Sequence, residues 1–317
     1  MEPLKTPEKY VIQGAAQGTY YAITYYDPQG RKLERSIDSL LKAFDMSASN
    51  YQDSSIISKV NANIPVELDE IFTGNFNLAK QVSQMTGGAF DITVRPLVEL
   101  WGFGKKQIEE VSLGQVDSVM SFIGFDKVRI ENGRVIKDDP RLQLDFNAIA
   151  QGYSVDVTAN YLRSLGIENF LVDIGGEVVA SGQKADSSFW KVGVERPKEN
   201  EAYGEALTAV ISLKDRALAT SGNYRKFYEK NGVKYSHTID PKTGYSVRST
   251  LLSATVIAEN AALADALATA LMVKGLDSSK VFLEKHPEFD AFLIYSDEAG
   301  NYKFFETPGI IDIIKKN

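Results

Sequence analysis

Short β-forming runs alternate irregularly with amphipathic stretches along this chain, and that pattern restricts its fold more than any other feature. Residues 20–26 read YYAITYY, rich in β-formers, and Asp27-Pro28-Gln29-Gly30 follows as a turn. Residues 31–44 then place Leu33, Ile37, Leu40, Leu41 and Phe44 at helical spacing. Further helices are expected over 71–86 with a stop at Gly87-Gly88, over 148–165 with a stop at Gly166, and over 261–272 with a break at Gly275. Strands are expected at 142–146, 170–174, 190–195, 206–213, 233–235, 252–258 and 289–295. Residues 47–55 form a Ser/Asn/Asp-rich loop, and the charged stretch 196–204 is the best candidate for a surface excursion. No regular strand–helix–strand beat and no internal repeat runs through the chain. The expected class is therefore α+β, with mixed or antiparallel sheets and packed helices, rather than a doubly wound parallel sheet.

Composition narrows the function classes. A chain of 317 residues with 44% hydrophobic side chains buries a sizeable core, as one large domain or two ordinary ones. The net charge is -7, and the Lys/Arg-rich stretches are diluted by carboxylates, which argues against a general nucleic-acid binder. There is no cysteine, so disulfides, thiolate metal sites and cysteine nucleophiles are excluded within these 317 residues. No run approaches the roughly 18 apolar residues of a membrane span. The opening Met1-Glu2-Pro3-Leu4-Lys5 has no apolar signal core, and reads either as a natural start or as what remains after removal of a leader.

Five clusters carry chemical interest, and each has a plain structural alternative. Gln17-Gly18-Thr19 precedes the first strand, where a glycine also simply relieves crowding. Thr86-Gly87-Gly88-Ala89-Phe90-Asp91 either stops a helix or exposes backbone N–H groups to a ligand. Asp145 to Gly152 lies at a strand-to-helix junction, where Asp145 caps the helix or free N–H groups receive a pyrophosphate; Gly175-Gly176-Glu177 follows the next strand similarly. No phosphate-binding GxxxxGK[ST] loop is present. His237, one of two histidines, sits in a Pro/Gly-rich loop with Ser236, Thr238 and Asp240 beside it. It is a surface residue or an oriented base. The other, His286, stands among charged residues and reads as solvated. Asp265 and Thr269, at i and i+4 on an Ala-rich helix, share one face. Their oxygens suit a hard cation, and a buried hydrogen-bond network is the equally open reading.

Taken together the clusters resemble the ApbE family, the FAD:protein FMN transferases. The likeness spans about residues 13–275 and rests on eight ordered motifs: QGT, SNYQDSSIISKVN, TGGAFDITVRPLVELWGFG, LDFNAIAQGYSVD, FLVDIGGEV, ATSGNYR, HTIDPKTGY and ADALATALMV. The resemblance implies one ApbE-like, T-fold-like domain over residues 1–317, or two interleaved subdomains, with FAD in a cleft between them and Mg²⁺ at the pyrophosphate. It implies metal binding by the Asp265 and Thr269 side chains and the Ala148 carbonyl, and flavin stacking by Tyr51. Ala89, Phe90 and Asp91 would line the FAD site, Asp145 and Ile239 would touch FAD, and His237 falls at the family's histidine. Two residues depart from the pattern. Gln17 stands where Met is frequent, and Gln151 stands where Lys is usual, removing a positive charge near the phosphates.

The implied reaction is Mg²⁺-dependent attack of an acceptor Thr or Ser hydroxyl, deprotonated by His237, on the FMN phosphorus, with AMP released. Two other readings stay open: an FAD pyrophosphatase giving FMN and AMP, and a flavin-binding or trafficking protein without turnover. The resemblance further implies FAD and an acceptor flavoprotein as partners. It implies an exported location, periplasmic or anchored by lipid on the outer side of the cytoplasmic membrane.

Overall fold

In the computed structural model, which describes residues 7–103, 111–197, 207–223, 227–230, 233–236 and 238–317, the chain opens on an antiparallel hairpin. Its strands are β1 (Glu8–Ala16) and β2 (Thr19–Asp27), paired from Glu8↔Asp27 to Ala16↔Thr19. The two-residue turn puts Gln17 at φ 55° and Gly18 at φ 74°, the doubly left-handed geometry that tight hairpins favour. β1 was not foreseen from its sequence, because EKYVIQGAA is exposed along most of its length and lacks a clean alternation.

Three helices follow: α1 (Glu34–Ala48), α2 (Ile56–Asn61) and α3 (Glu70–Met85). α1 buries Leu33, Ile37, Leu41 and Phe44, the stripe expected from periodicity. Asp69 caps α3 by accepting the Phe72 N–H at 2.8 Å. Next come the short α4 (Arg95–Leu100), α5 (Leu113–Met120) and the small ladder of β3 (Val128–Glu131) with β4 (Arg134–Lys137). The expected strand at 142–146 pairs with no ladder. The side-chain amide of Asn61 takes the place of a partner strand: its Nδ2 donates to the Leu144 carbonyl at 2.8 Å, and its Oδ1 accepts the Leu144 N–H at 2.7 Å.

The second half supplies α6 (Ala150–Ser164), β5 (Phe170–Ile174), β6 (Glu177–Ser181), β7 (Trp190–Glu195), β8 (Leu207–Leu213), β9 (Arg216–Gly222), β10 (Phe227–Lys230), β11 (Val233–Ser236), β12 (Leu251–Ala258), α7 (Ala261–Lys285), β13 (Asp290–Ser296), β14 (Tyr302–Glu306) and β15 (Ile314–Lys316). α7 breaks at Gly275 (φ 71°, ψ 178°), as expected. Most of the expected excursion at 196–204, and residue 206 of the expected strand after it, lie outside the described residues.

Eight strands make one sheet in the order β1-β2-β5-β6-β9-β12-β13-β14, every pair antiparallel. Alternation along its central strands sends neighbours to opposite faces. Val179, Ala217, Val172 and Ile23 face α1 and α6, whereas Val178, Ala180, Leu218, Ile257 and Phe292 face the three-stranded sheet β15-β8-β7. A third cluster joins α3 and α7 to β9 and β12 and to the segment 142–149. The architecture is α+β, antiparallel sheets with packed helices. The start of α6, the Gly175-Gly176 turn and the middle of α7 meet inside it.

Candidate functional site

The site is built around the first turn of α6. Ile149 at its N-cap offers no capping side chain. The Ala150 N–H bonds the Phe146 carbonyl at 2.7 Å and the Tyr153 N–H bonds the Ile149 carbonyl at 2.9 Å. Between them the Gly152 N–H turns away from the helix to Asp265 Oδ2, at 3.2 Å. Among the described residues, the Ala148 carbonyl therefore receives no hydrogen bond from the helix that starts beside it. One turn further along α7, Thr269 Oγ1 lies 3.1 Å from the Ser221 hydroxyl of β9. Asp265 is 6% exposed, and burial, opposed by the Gly152 N–H, pushes its carboxyl up to about 7. A carbonyl without a donor, a buried carboxylate and a hydroxyl are hard oxygen donors that fit a divalent cation. No cluster of three His, Cys, Asp or Glu side chains exists among the described residues, so such a site rests on this mixed set.

Glycine makes the arrangement possible. A Cβ on Gly152 would lie 2.4 Å from the Ala261 carbonyl oxygen and 2.8 Å from the Ala262 Cα, so α6 and α7 approach this closely only without a side chain there. Asp156, one turn on, receives the Ala261 and Ala262 N–H groups, each at 2.8 Å, and so caps the helix that carries Asp265 and Thr269. Burial raises the Asp156 carboxyl to about 6.

Gln151 points to the other side of the same turn. Its Nε2 donates to Glu177 Oε2 at 2.5 Å and to the Ile174 carbonyl at 3.0 Å. Gly175, at φ 65°, leaves the necessary room, since a Cβ there would fall 1.9 Å from that Nε2. Burial, and next the charge of Asp265, raises the Glu177 carboxyl well above the usual carboxylate range. The Ser154 hydroxyl lies between Gln17 Oε1 (3.1 Å) and the Gln151 carbonyl (2.7 Å), which joins the two departures from the family pattern in one cluster. Gln17 Nε2 is buried without a partner among the described residues.

The segment 86–91 approaches from α3. Gly87 (φ 63°) and Gly88 (φ 83°) close that helix, and a Cβ on Gly88 would meet Lys242 at 3.5 Å, which places the turn against the 238–247 loop. Ala89 and Phe90 are buried in the core, 6% and 3% exposed, so it is their backbone that is available for lining a ligand. Asp91 accepts the Thr93 N–H at 2.7 Å and the Phe125 N–H at 3.1 Å; burial raises its pKa. Asp145 Oδ1 accepts from Asn50 Nδ2 (2.9 Å) and the Asn147 N–H (2.8 Å), and burial raises that carboxyl too. Tyr51 is 73% exposed, with its hydroxyl 3.5 Å from Asn147 Nδ2, a free aromatic face beside Asp145.

Ile239 is buried and bridges to Ser246, which folds 238–247 into a hairpin pinned by Trp101 Nε1 on the Gly244 carbonyl at 2.7 Å. Both Asp240 carboxylate oxygens engage their own turn, at Lys242 N and Thr243 Oγ1. His237 lies outside the described residues. His286 stacks on Phe282 at 4.4 Å and contacts Glu288 at 3.0 Å, so it packs at a helix end and is only partly solvated.

Asp156 and Ser221 were not singled out from sequence, and Glu177 only as the end of a glycine turn. Both Asp156 and Ser221 fall inside quoted motifs, LDFNAIAQGYSVD and ATSGNYR, which was the available signal.

A model described as the ApbE family matches residues 17–293. A Vibrio cholerae protein named FAD:protein FMN transferase is 36% identical over 280 residues, 86% of this chain and 83% of its own. The solved flavin transferase ApbE from Vibrio cholerae superposes with a TM-score of 0.85 at 32% identity, covering 97% of this chain and 99% of that one. The apo flavinyl transferase ApbE of Pseudomonas stutzeri superposes with a TM-score of 0.87 at 30% identity, covering 98% of each chain.

Proposed function

The chain belongs to the ApbE family and moves FMN from FAD onto a protein, and we propose that it does so with a Mg²⁺ ion held by Asp265, Thr269 and the Ala148 carbonyl. The observation that carries the metal reading is the diverted Gly152 N–H. It holds Asp265 in place and leaves the Ala148 carbonyl without a helix donor. Bound there, the ion would draw charge from the FAD pyrophosphate and stabilise the AMP leaving group. At the start of α6 the Gln151 N–H, which has no acceptor among the described residues, and the positive helix end would serve the same phosphates. Tyr51 stacks on an FAD ring, and Asp145, Ile239, Gln17 and the backbone of Ala89, Phe90 and Asp91 frame the cofactor. In this reading His237 accepts the proton of an acceptor Thr or Ser hydroxyl. The hydroxyl oxygen bonds to the FMN phosphorus, the bond to the AMP oxygen breaks, and AMP departs.

We place this reaction on the outer side of the cytoplasmic membrane, on exported flavoproteins, with the enzyme periplasmic or anchored there by lipid. The support is the family resemblance. Incubation with FAD and Mg²⁺, with and without an acceptor peptide, tests the chemistry. Transfer yields AMP and flavin-labelled peptide; AMP with free FMN would mean hydrolysis, and unchanged FAD would mean binding alone.

A further inference from the structure

Two buried carboxylates meet the first turn of α6. Glu177 is 8% exposed and Asp265 is 6% exposed. Adjacent residues reach them: the Gln151 side chain bonds Glu177 Oε2 at 2.5 Å, and the Gly152 backbone N–H bonds Asp265 Oδ2 at 3.2 Å. Both partners are neutral. Among the described residues, no Lys, Arg or His forms an ion pair with either carboxylate. A neutral amide satisfies a lone pair but supplies no positive charge, so both carboxylates can ionise in this water-excluded place only if a cation joins them. A single divalent cation balances two such charges, whereas Asp265 alone balances half of one.

We propose that Glu177 is a positioning residue of the metal site, supplying its second negative charge, and that the neutrality of Gln151 reserves that charge for the cation. The inference rests on the metal reading of Asp265 and Thr269. Gln151 then has a defined part: it fixes the Glu177 carboxylate by a hydrogen bond while leaving its charge intact. A lysine at 151 would neutralise Glu177 within the protein and take away part of the attraction for the metal.

The test is a Mn²⁺ titration of FAD-free protein, with free Mn²⁺ followed by electron paramagnetic resonance. Wild type, Glu177→Gln, Gln151→Lys and Asp265→Ala are compared, and melting in EDTA is recorded for each. Glu177→Gln is expected to weaken Mn²⁺ binding by about 10-fold or more, the scale of an outer metal-site partner. In EDTA it is expected to melt no lower than wild type, since without the cation Glu177 has no ion pair among the described residues for the amide to lose. A merely structural role would instead lower that melting temperature and spare the affinity. Gln151→Lys is expected to weaken Mn²⁺ binding in the same direction, and it decides the matter if Glu177→Gln fails to fold. Wild-type affinity in a folded Glu177→Gln, with Asp265→Ala impaired, would overturn this inference and leave the metal reading standing. Equal binding by wild type and Asp265→Ala would overturn both.

Discussion

The backbone N–H of Gly152 donates to Asp265 Oδ2 at 3.2 Å, a contact between residues 113 apart in the chain. It ties the start of α6 to the face of α7 that also carries Thr269. It also separates the Ala148 carbonyl from the donor that a continuous helix would have supplied. Most of what the site is expected to do depends on that one diversion.

Asp265→Ala should remove the metal and the turnover together. Flavin transfer should fall below detection at millimolar Mg²⁺, and the variant should show no Mg²⁺-dependent rise in melting temperature. Wild-type activity in metal-depleted buffer would refute the assignment.

Gly152→Ala should disturb the fold and the site at once, because the new Cβ would stand 2.4 Å from the Ala261 oxygen. Overpacking of this kind costs about 1–3 kcal/mol. Differential scanning calorimetry should show a lower melting temperature, and metal titration a weaker site, because α6 and α7 must separate.

Metal affinity should rise with pH. Burial holds the Asp265 carboxyl up at about 7, so below that pH the metal must displace a proton. Affinity is expected to climb by up to about tenfold per pH unit below 7 and to level off above it. The metal-free protein runs the opposite way. Asp156 (about 6) and Asp265 (about 7) hold protons in the folded state that the unfolded state has released above its ordinary value of 3.8. Their contribution to stability therefore falls as pH rises from about 4 to 7. Calorimetry with EDTA and with Mg²⁺ across that range checks both signs.

Asn61→Ala should loosen the segment beneath Asp145. It strips the Leu144 N–H and carbonyl of their only described partner, and Leu144 is fully buried. An unsatisfied buried group costs about 1–3 kcal/mol. Lower stability with weaker FAD binding is expected, measured by chemical denaturation and flavin fluorescence; unchanged FAD affinity would detach this segment from the cofactor site.

His237→Ala should leave FAD binding nearly intact while slowing transfer by roughly 10²–10⁴-fold, the scale of a positioned base. Equilibrium binding and single-turnover transfer separate the two. Loss of both together would make His237 an FAD-positioning residue instead.

Local patterning alone determined α1, α3 with its stop at Gly87-Gly88, the part of α7 before its break at Gly275 though not its continuation to Lys285, and strands such as β2, β5, β12 and β13. A hydrophobic stripe or a β-forming run is complete within a dozen residues and needs no distant partner to be read. The ordered motifs likewise identified the family, because each survives as a string. The sequence misread 142–146, since whether an extended segment joins a ladder depends on what lies beside it. Here that neighbour is the amide of Asn61. It left unread Asp156 capping α7, Ser221 against Thr269, and Glu177 behind Gln151. Each is an ordinary polar residue in its own neighbourhood. Its part is set by a group 26 to 106 positions away, brought within hydrogen-bond reach only when α6 and α7 pack against the sheet and exclude water from between them.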